Sequence, residues 1–274
     1  MPELPEVATV CCGLNQSILN KKIINAQNFR PNLRIPFPAN FSEHLKDKTV
    51  KSVRRRAKYI IITLDDDSVI IAHLGMSGKM IVHRNFQNRR EKHDHAIFQF
   101  EDGIEMVFND TRRFGLITFS DIANLNSHKL IANLGLEPLE EVFNGQSLYE
   151  ILKNRSTPIK NTIMDASLVV GVGNIYACEA LFRSLINPTK KSNTLTEKQC
   201  EDLAMNIKKI LLEAIESGGS TLRDYVQSSG GTGYFQHNFK VYGRGGEPCN
   251  ICENELIRIK QSGRSTFYCR ICQK

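Results

Sequence analysis

The sequence predicts a multi-domain α+β protein with an N-terminal β-sandwich and flanking helices, a helical domain, and a C-terminal four-cysteine zinc-finger hairpin. At 274 residues the chain is long enough for two domains. Short β-branched runs dominate residues 23–119, and helical periodicity returns from about 121. Four of the eight cysteines fall in the last stretch. The expected boundaries are 2–120, a linker over 121–145, then 146–235 and 236–274.

The first element is a helix over residues 5–19, because apolar side chains recur there at helical spacing. Removal of Met1 would leave Pro2 as a secondary amine beside Glu3. A secondary amine that attacks a sugar aldehyde carbon forms a cationic iminium, which is an electron sink for elimination reactions. Pro2 and Glu3 could instead simply start the helix, and this segment alone leaves both interpretations open.

Strands follow the helix. Acidic or glycine turns at Asp65-Asp66-Asp67 and Asp102-Gly103 separate β-branched runs, which is typical of a sandwich or barrel. Residues 84–95 form a polar, charged loop. The expected strands are 59–64, 68–72, 80–82, 96–100 and 105–108.

The second half reads as helices broken by Pro138, Pro158 and Pro188. A glycine-rich stretch over 217–234 predicts a long flexible loop. The expected helices are 121–133, 146–154, 174–184 and 196–216.

The C-terminal cysteines have the spacing of a four-thiolate zinc site, with two Cys-x2-Cys pairs sixteen residues apart. All four ligands are protein thiolates, so the zinc is expected to be structural; two disulfides are the alternative. Two strands and a turn between the pairs place Arg264 near the tip of a basic hairpin suited to gripping phosphates. The expected ligands are Cys249, Cys252, Cys269 and Cys272.

The net charge is +7 and the sequence pI about 9.0, which favours a polyanion such as nucleic acid or an anionic membrane surface. No run of 18 apolar residues exists, so no membrane span is expected. The first residues lack the basic and apolar regions of a signal peptide, which predicts a cytoplasmic protein.

Several loops carry candidate binding residues. Asn174 follows a Gly-x-Gly turn at a helix start, where it could bind an anion or only cap the helix. Met76 and Phe114 lie on glycine-flanked turns, as wedges for a base stack or as core residues. Lys58 follows three arginines and could equally belong to a solvated basic edge.

Together these motifs resemble the bacterial formamidopyrimidine-DNA glycosylases, base-excision repair enzymes for oxidised purines. The resemblance spans nearly the whole chain, through PELPEV, RRRAKY, HLGMSG, NDTRRFG, LVVGVGNIYACEAL, GGSTLRDY and the terminal finger. It implies an N-terminal catalytic β-sandwich, a helix-two-turn-helix DNA-binding domain and a zinc finger with one structural Zn²⁺. The expected partner is damaged double-stranded DNA, bound by a monomer without a membrane.

The resemblance also implies residue roles. Pro2 would be the nucleophile on C1′ of the damaged nucleotide and Glu3 the general acid/base. The glycine-rich loop would close over the extruded base. Phosphates around the flipped nucleotide would be held by Lys58, Asn174 and Arg264, of which Lys58 and Arg264 also belong to the catalytic residues. The gap in the duplex would be filled by Met76, Arg112 and Phe114, with Arg112 facing the orphaned cytosine. Lys160 would lie near the lesion, and His93 and Tyr242 would contact DNA.

Two alternatives stay open on the sequence. An endonuclease VIII-type glycosylase for oxidised pyrimidines shares the chemistry, although Leu4 and NDTRRFG favour the purine enzyme. A non-catalytic zinc-ribbon DNA-binding protein would explain the finger and the charge, but it has no need of an N-terminal proline. Thr111 departs from the pattern, since proline is usual there, and we expect a looser turn around Arg112.

Overall fold

The computed structural model describes residues 2–87, 89–219 and 235–274. These form two compact units, the first from residues 2–132 and 217–219 and the second from 133–216 and 235–274. The flexible loop expected over 217–234 lies outside the described residues from 220 onward.

The first unit is a β-sandwich, as the sequence predicts. One antiparallel sheet has the strand order β1-β6-β7-β5 and the other β2-β3-β4-β8. The elements are α1 Leu4–Ile18, β1 Ile23–Asn28, α2 Phe41–Leu45, β2 Val50–Arg56, β3 Tyr59–Leu64, β4 Ser68–His73, β5 Lys79–His83, β6 Asp94–Phe100, β7 Glu105–Asn109 and β8 Leu116–Asp121.

The core of this unit draws apolar side chains from both sheets and from α1. Phe98 and Phe108 from one sheet and Ile60 and Ile62 from the other belong to one buried cluster. Helix α1 packs on β2, β3 and β5 and buries one apolar face. The strand ends and loops therefore stand on a large hydrophobic core, which supplies most of the stability of such a unit.

The turns around the central strands are confirmed. Asp65-Asp66-Asp67 connects β3 to β4, with Asp67 at φ +65°. Ser68 donates its hydroxyl hydrogen bond to the Asp66 carboxylate at 2.6 Å, which closes the turn locally.

The helix expected over 121–133 is wrong. Residues after Asp121 form consecutive turns, in which the Leu125 amide donates to the Ile122 carbonyl and the His128 amide to that of Leu125. The Asp121 carboxylate accepts from the Asn124 amide at 2.8 Å. The backbone hydrogen bonds mostly span three residues and close separate turns, so a continuous i→i+4 ladder does not form over this stretch.

The second unit packs a helical layer against a C-terminal β-hairpin. Helix α6 packs on α3 and α5, and Gly145 permits close approach, because a Cβ there would lie 2.6 Å from Glu201 Cα. The hairpin shares a small core with Cys178 and Phe182 of α5. The elements are α3 Gly145–Leu152, α4 Ile159–Ile163, α5 Asn174–Arg183, α6 Glu197–Glu216, β9 Ile257–Gln261 and β10 Arg264–Tyr268, with 3-10 turns at Ser192–Thr194 and Phe235–Asn238.

Candidate active site and nucleic-acid interface

The N-terminus of α1 holds the proposed nucleophile and acid/base. Pro2 is buried and Glu3, the N-cap residue, is 3% exposed. The Glu3 amide donates to the Glu6 carboxylate at 2.9 Å, as half of a capping box. Glu6 thus serves the helix end, whose positive dipole favours the carboxylate of Glu3.

The glycine-rich segment begins beside this helix end. Gly219 has φ +81°, and a Cβ there would lie 3.2 Å from Glu6 Oε1. Glycine therefore suits the position both in conformation and in space.

Lys58 lies in the tight turn between β2 and β3, next to Ala57 at φ +53°. Strand pairing sets Tyr59 opposite His73 on β4. Burial, then the positive charges of Arg34 and Lys58, lower the pKa of His73 to about 4. His73 is therefore neutral at pH 7, and its Nδ1 accepts a hydrogen bond from the Gly75 amide at 2.9 Å.

His73 is a polar residue of this site that sequence reasoning did not single out, although it opens the HLGMSG motif. The available signal was a histidine at a strand end directly before a glycine turn. His73 lies near Lys58 because β3 pairs with β4, and the sequence alone does not predict this pairing.

Two turns present the proposed gap-filling side chains. Phe114 is 47% exposed, which excludes the core interpretation for that residue, and Met76 is half-buried. The Arg112 guanidinium carbon lies 4.9 Å from the centre of the Phe114 ring. A Cβ on Gly75 would lie 2.4 Å from the Phe114 carbonyl carbon, so the turns touch backbone to backbone.

The segment before β6 reaches the same turn. The His93 carbonyl accepts a hydrogen bond from the Asp110 amide at 3.0 Å. His93 thus lies beside the turn that carries Arg112, within the first unit.

In the second unit, the Asn174 side chain is held from both ends. Its Nδ2 donates to the Ser265 carbonyl at 2.9 Å and its Oδ1 accepts from Lys160 Nζ at 2.6 Å. Lys160 is 1% exposed and also donates to Thr266 Oγ1 at 2.7 Å. The buried ammonium therefore joins α4, the start of α5 and β10, while its contact with DNA stays a prediction.

Arg264 and Tyr242 occupy the zinc module. Arg264 is exposed at the start of β10, directly after the Ser262-Gly263 turn. The Tyr242 amide donates to the fully buried Glu179 carboxylate at 2.8 Å, and its ring packs edge-on against Phe267 at 5.2 Å.

The four C-terminal cysteines fit one tetrahedral metal ion. Their sulfur atoms lie within 4.8 Å of one another, and none is in a disulfide. The Cys249–Cys272 and Cys252–Cys269 sulfur pairs are 3.9 and 3.4 Å apart. Zn–S bonds of about 2.3 Å give a tetrahedral edge of about 3.8 Å. The disulfide alternative is thus excluded, and the set matches a structural zinc.

Three family models cover most of the chain. They describe the formamidopyrimidine-DNA glycosylase N-terminal domain at residues 1–117, the H2TH domain of that enzyme at 134–226, and a zinc finger found in FPG and IleRS at 246–274. A formamidopyrimidine-DNA glycosylase of Wolbachia pipientis from Culex pipiens is 48% identical over 274 residues, with both chains fully covered. The chain belongs to the formamidopyrimidine-DNA glycosylase family.

Solved structures of Lactococcus lactis Fpg agree. A complex with N7-benzyl-Fapy-dG DNA matches with TM-score 0.91 at 36% identity, covering 100% of both chains. A complex of the same enzyme with oxidised-pyrimidine DNA matches with TM-score 0.90 at 35% identity, again over 100% of both.

Membership of the family makes the chain a DNA-binding base-excision repair enzyme, a glycosylase and lyase for oxidised purines, with one structural zinc. The non-catalytic and endonuclease VIII alternatives are not favoured. Within the described residues, none of the helices has both the length and the apolar character needed to span a bilayer.

Proposed function

We propose that the Pro2 amine of this glycosylase attacks C1′ of the damaged nucleotide and displaces the oxidised base. The observation that carries the proposal is the pair Pro2-Glu3 at the positive end of α1. The nitrogen lone pair forms the bond to C1′ as the glycosidic bond breaks, and the base leaves with the electron pair of the glycosidic bond. The proton on the Pro2 nitrogen passes to the Glu3 carboxylate. Opening of the deoxyribose ring then yields the iminium.

Glu3 transfers protons in these steps. Its acid form protonates the ring oxygen as the sugar opens, and a carboxylate beside the iminium can accept the acidified C2′ proton. Loss of that proton expels the 3′ phosphate, and a second elimination expels the 5′ phosphate. The products are the free base, a one-nucleotide gap with phosphates at both ends, and the sugar remnant released from Pro2 by water.

Both units supply DNA contacts in this proposal. Lys58, Asn174 and Arg264 hold phosphates around the flipped nucleotide, supported by the basic charge of the chain and by the helix start at Asn174. His93 and Tyr242 add further contacts, and Lys160 approaches the lesion side of the site. Met76, Arg112 and Phe114 enter the gap left by base flipping.

The setting of the reaction belongs to the same proposal. The protein acts as a cytoplasmic monomer. Its catalytic domain spans 2–120 and its helix-two-turn-helix domain 146–235, with a linker over 121–145 and the finger over 236–274.

Borohydride trapping tests the nucleophile. A duplex with one 8-oxoguanine opposite cytosine should give a covalent complex whose peptide map places the adduct on Pro2. A matched variant that retains Met1 should give neither trapping nor excision, because the proline nitrogen is then an amide. An adduct that maps to Lys58 or Lys160 would overturn the assignment of Pro2.

Oxidised pyrimidines are a second candidate substrate class, because Lactococcus lactis Fpg forms a complex with oxidised-pyrimidine DNA. Single-turnover excision from duplexes that each carry one lesion separates the classes. We expect 8-oxoguanine and formamidopyrimidine opposite cytosine to be removed faster than thymine glycol. The reverse order would favour the endonuclease VIII-type activity.

A further inference from the structure

We propose that Asp110 is a positioning residue that fixes the turns of Met76, Arg112 and Phe114 as one rigid wedge for base extrusion. This inference rests on the proposed function, since it assigns those three side chains to the gap in the duplex. Asp110 touches no DNA in this scheme and acts through the loops it holds.

The Asp110 carboxylate is fully buried and gathers groups from both turns. Its Oδ1 accepts from the Ser77 hydroxyl at 2.6 Å and from the Arg112 amide at 3.2 Å. Its Oδ2 accepts from the Gly115 amide at 2.8 Å. One side chain therefore brackets Arg112 and Phe114 and reaches across to the Met76 turn.

Ser77 completes the connection. Its oxygen accepts from the Arg112 amide at 3.0 Å while its hydroxyl donates to Asp110. Ser77 is 6% exposed and directly follows Met76. A shift of either turn would break bonds to the other, so the two turns move together.

The backbone of Asp110 ties in a third segment. Its amide donates to the His93 carbonyl at 3.0 Å, and its carbonyl contacts His95 Nε2 at 2.8 Å. The residue thus lies where three segments with proposed DNA contacts meet.

Tertiary contacts restrain the turn of Arg112 and Phe114. Thr111 occupies the position where proline is usual in the family pattern, so the turn lacks the fixed φ that proline supplies. Arg113 takes φ +60°, which is unfavourable for a residue with a side chain. Three hydrogen bonds to one buried carboxylate over-determine the turn and hold it in place.

The exposed side chains explain why this rigidity serves function. Phe114 and Arg112 are exposed, so their placement contributes little to the core. Burial of a carboxylate is costly unless it is hydrogen-bonded. A costly buried group that orders exposed side chains is the pattern of pre-organisation for a partner.

The experiment compares Ser77→Ala and Asp110→Asn with wild type in three single-turnover assays. Two assays measure excision of 8-oxoguanine, opposite cytosine and opposite adenine, and the third measures cleavage of a preformed abasic site. Ser68→Ala is the matched control, because it removes a buried hydroxyl donor to an aspartate at the same 2.6 Å distance elsewhere in the unit. Thermal unfolding of each protein is recorded alongside.

We expect the rate of excision opposite cytosine to fall roughly tenfold in the two wedge variants, Ser77→Ala and Asp110→Asn, which is the effect expected from the loss of one buried hydrogen bond. The rate of abasic-site cleavage should change by less than about twofold. The preference for cytosine over adenine should shrink, since Arg112 is no longer aimed. Ser68→Ala should keep wild-type rates.

The positioning role would be overturned if the two wedge variants lost equal factors in the rates of lesion excision and abasic-site cleavage. It would also be overturned if Ser68→Ala, with the same unfolding temperature as the wedge variants, lost as much excision rate as they do. Wild-type rates in both wedge variants would do the same. Failure of the proposed function is distinguishable, because wild type itself would then not excise the lesion.

Discussion

The two units hold the side chains that we propose to contact DNA with buried charges of opposite sign. In the first unit the Asp110 carboxylate collects backbone amides and a hydroxyl. In the second the Lys160 ammonium collects an amide oxygen and a hydroxyl oxygen. A carboxylate can only accept hydrogen bonds and an ammonium can only donate them, so each charge suits a different kind of junction.

The foundations beneath these junctions also differ. The wedge of the first unit rests on a sandwich core built from eight strands and two helices. The hairpin of the second unit rests on a small cluster and four thiolates. Small modules of this kind depend on their metal for stability, whereas a large sandwich does not.

Zinc removal is expected to have the largest effect and to destabilise only the second unit. Chelation, or Cys252→Ser, should unfold the hairpin and lower the affinity for lesion DNA by roughly 100-fold, because several phosphate contacts are lost together. Hydrogen exchange should rise over 249–272 and stay low in β3 and β4. Metal analysis of the wild type should give one zinc per chain. Loss of protection from hydrogen exchange in both units at once would show that the two units are not stabilised independently.

Lys160→Met tests the cationic junction. The change leaves the half-buried Asn174 Oδ1 and the fully buried Thr266 Oγ1 without this donor, at about 1–3 kcal/mol for the buried hydroxyl. We expect a lower unfolding temperature and DNA binding weakened by roughly 30-fold as Asn174 loses its orientation. Lys198→Met, an exposed lysine of the same unit, is the control. If Lys160→Met and Lys198→Met had equal unfolding temperatures and equal DNA affinities, Lys160 would have no role in holding Asn174.

Arg112→Ala and Phe114→Ala test the wedge itself. Each should slow 8-oxoguanine excision by roughly tenfold, because the extruded state loses the side chain that fills the gap. Cleavage of a preformed abasic site should change less, since no base has to be extruded. Parallel loss in both assays, measured in single turnover, would assign these residues to general DNA binding.

The last expected effect is absent at neutral pH and is a pH dependence of stability in the first unit. The pKa of His73 lies near 4 in the folded protein against an ordinary 6.5. The unfolded chain therefore binds the proton more readily, and the stabilisation from neutral His73 is complete above about pH 6.5 and lost as pH falls towards 4.

His73→Asn keeps an acceptor for the Gly75 amide but does not titrate. Between pH 7 and 4 its free energy of unfolding should fall by less than that of wild type, with a difference of up to about 3 kcal/mol. Chemical denaturation at each pH measures this difference. Identical pH profiles would show that His73 titrates normally.

Local patterns predicted much of the fold. The period of α1, the acidic turn before β4 and the paired cysteines are short-range signals, and the structure confirms them. The helix expected over 121–133 is wrong, because the chain forms consecutive three-residue turns there, which the spacing of apolar residues does not distinguish from a helix.

The sequence by itself determined the candidate chemistry, because Pro2-Glu3, the loop motifs and the zinc ligands lie in contiguous segments where residue type and spacing carry the information. Only the tertiary structure decided how those segments are held. The meeting of Asp110 with Ser77, and of Lys160 with Thr266, joins residues 33 and 106 positions apart. Such contacts depend on strand pairing and packing of the whole unit, which no local pattern encodes.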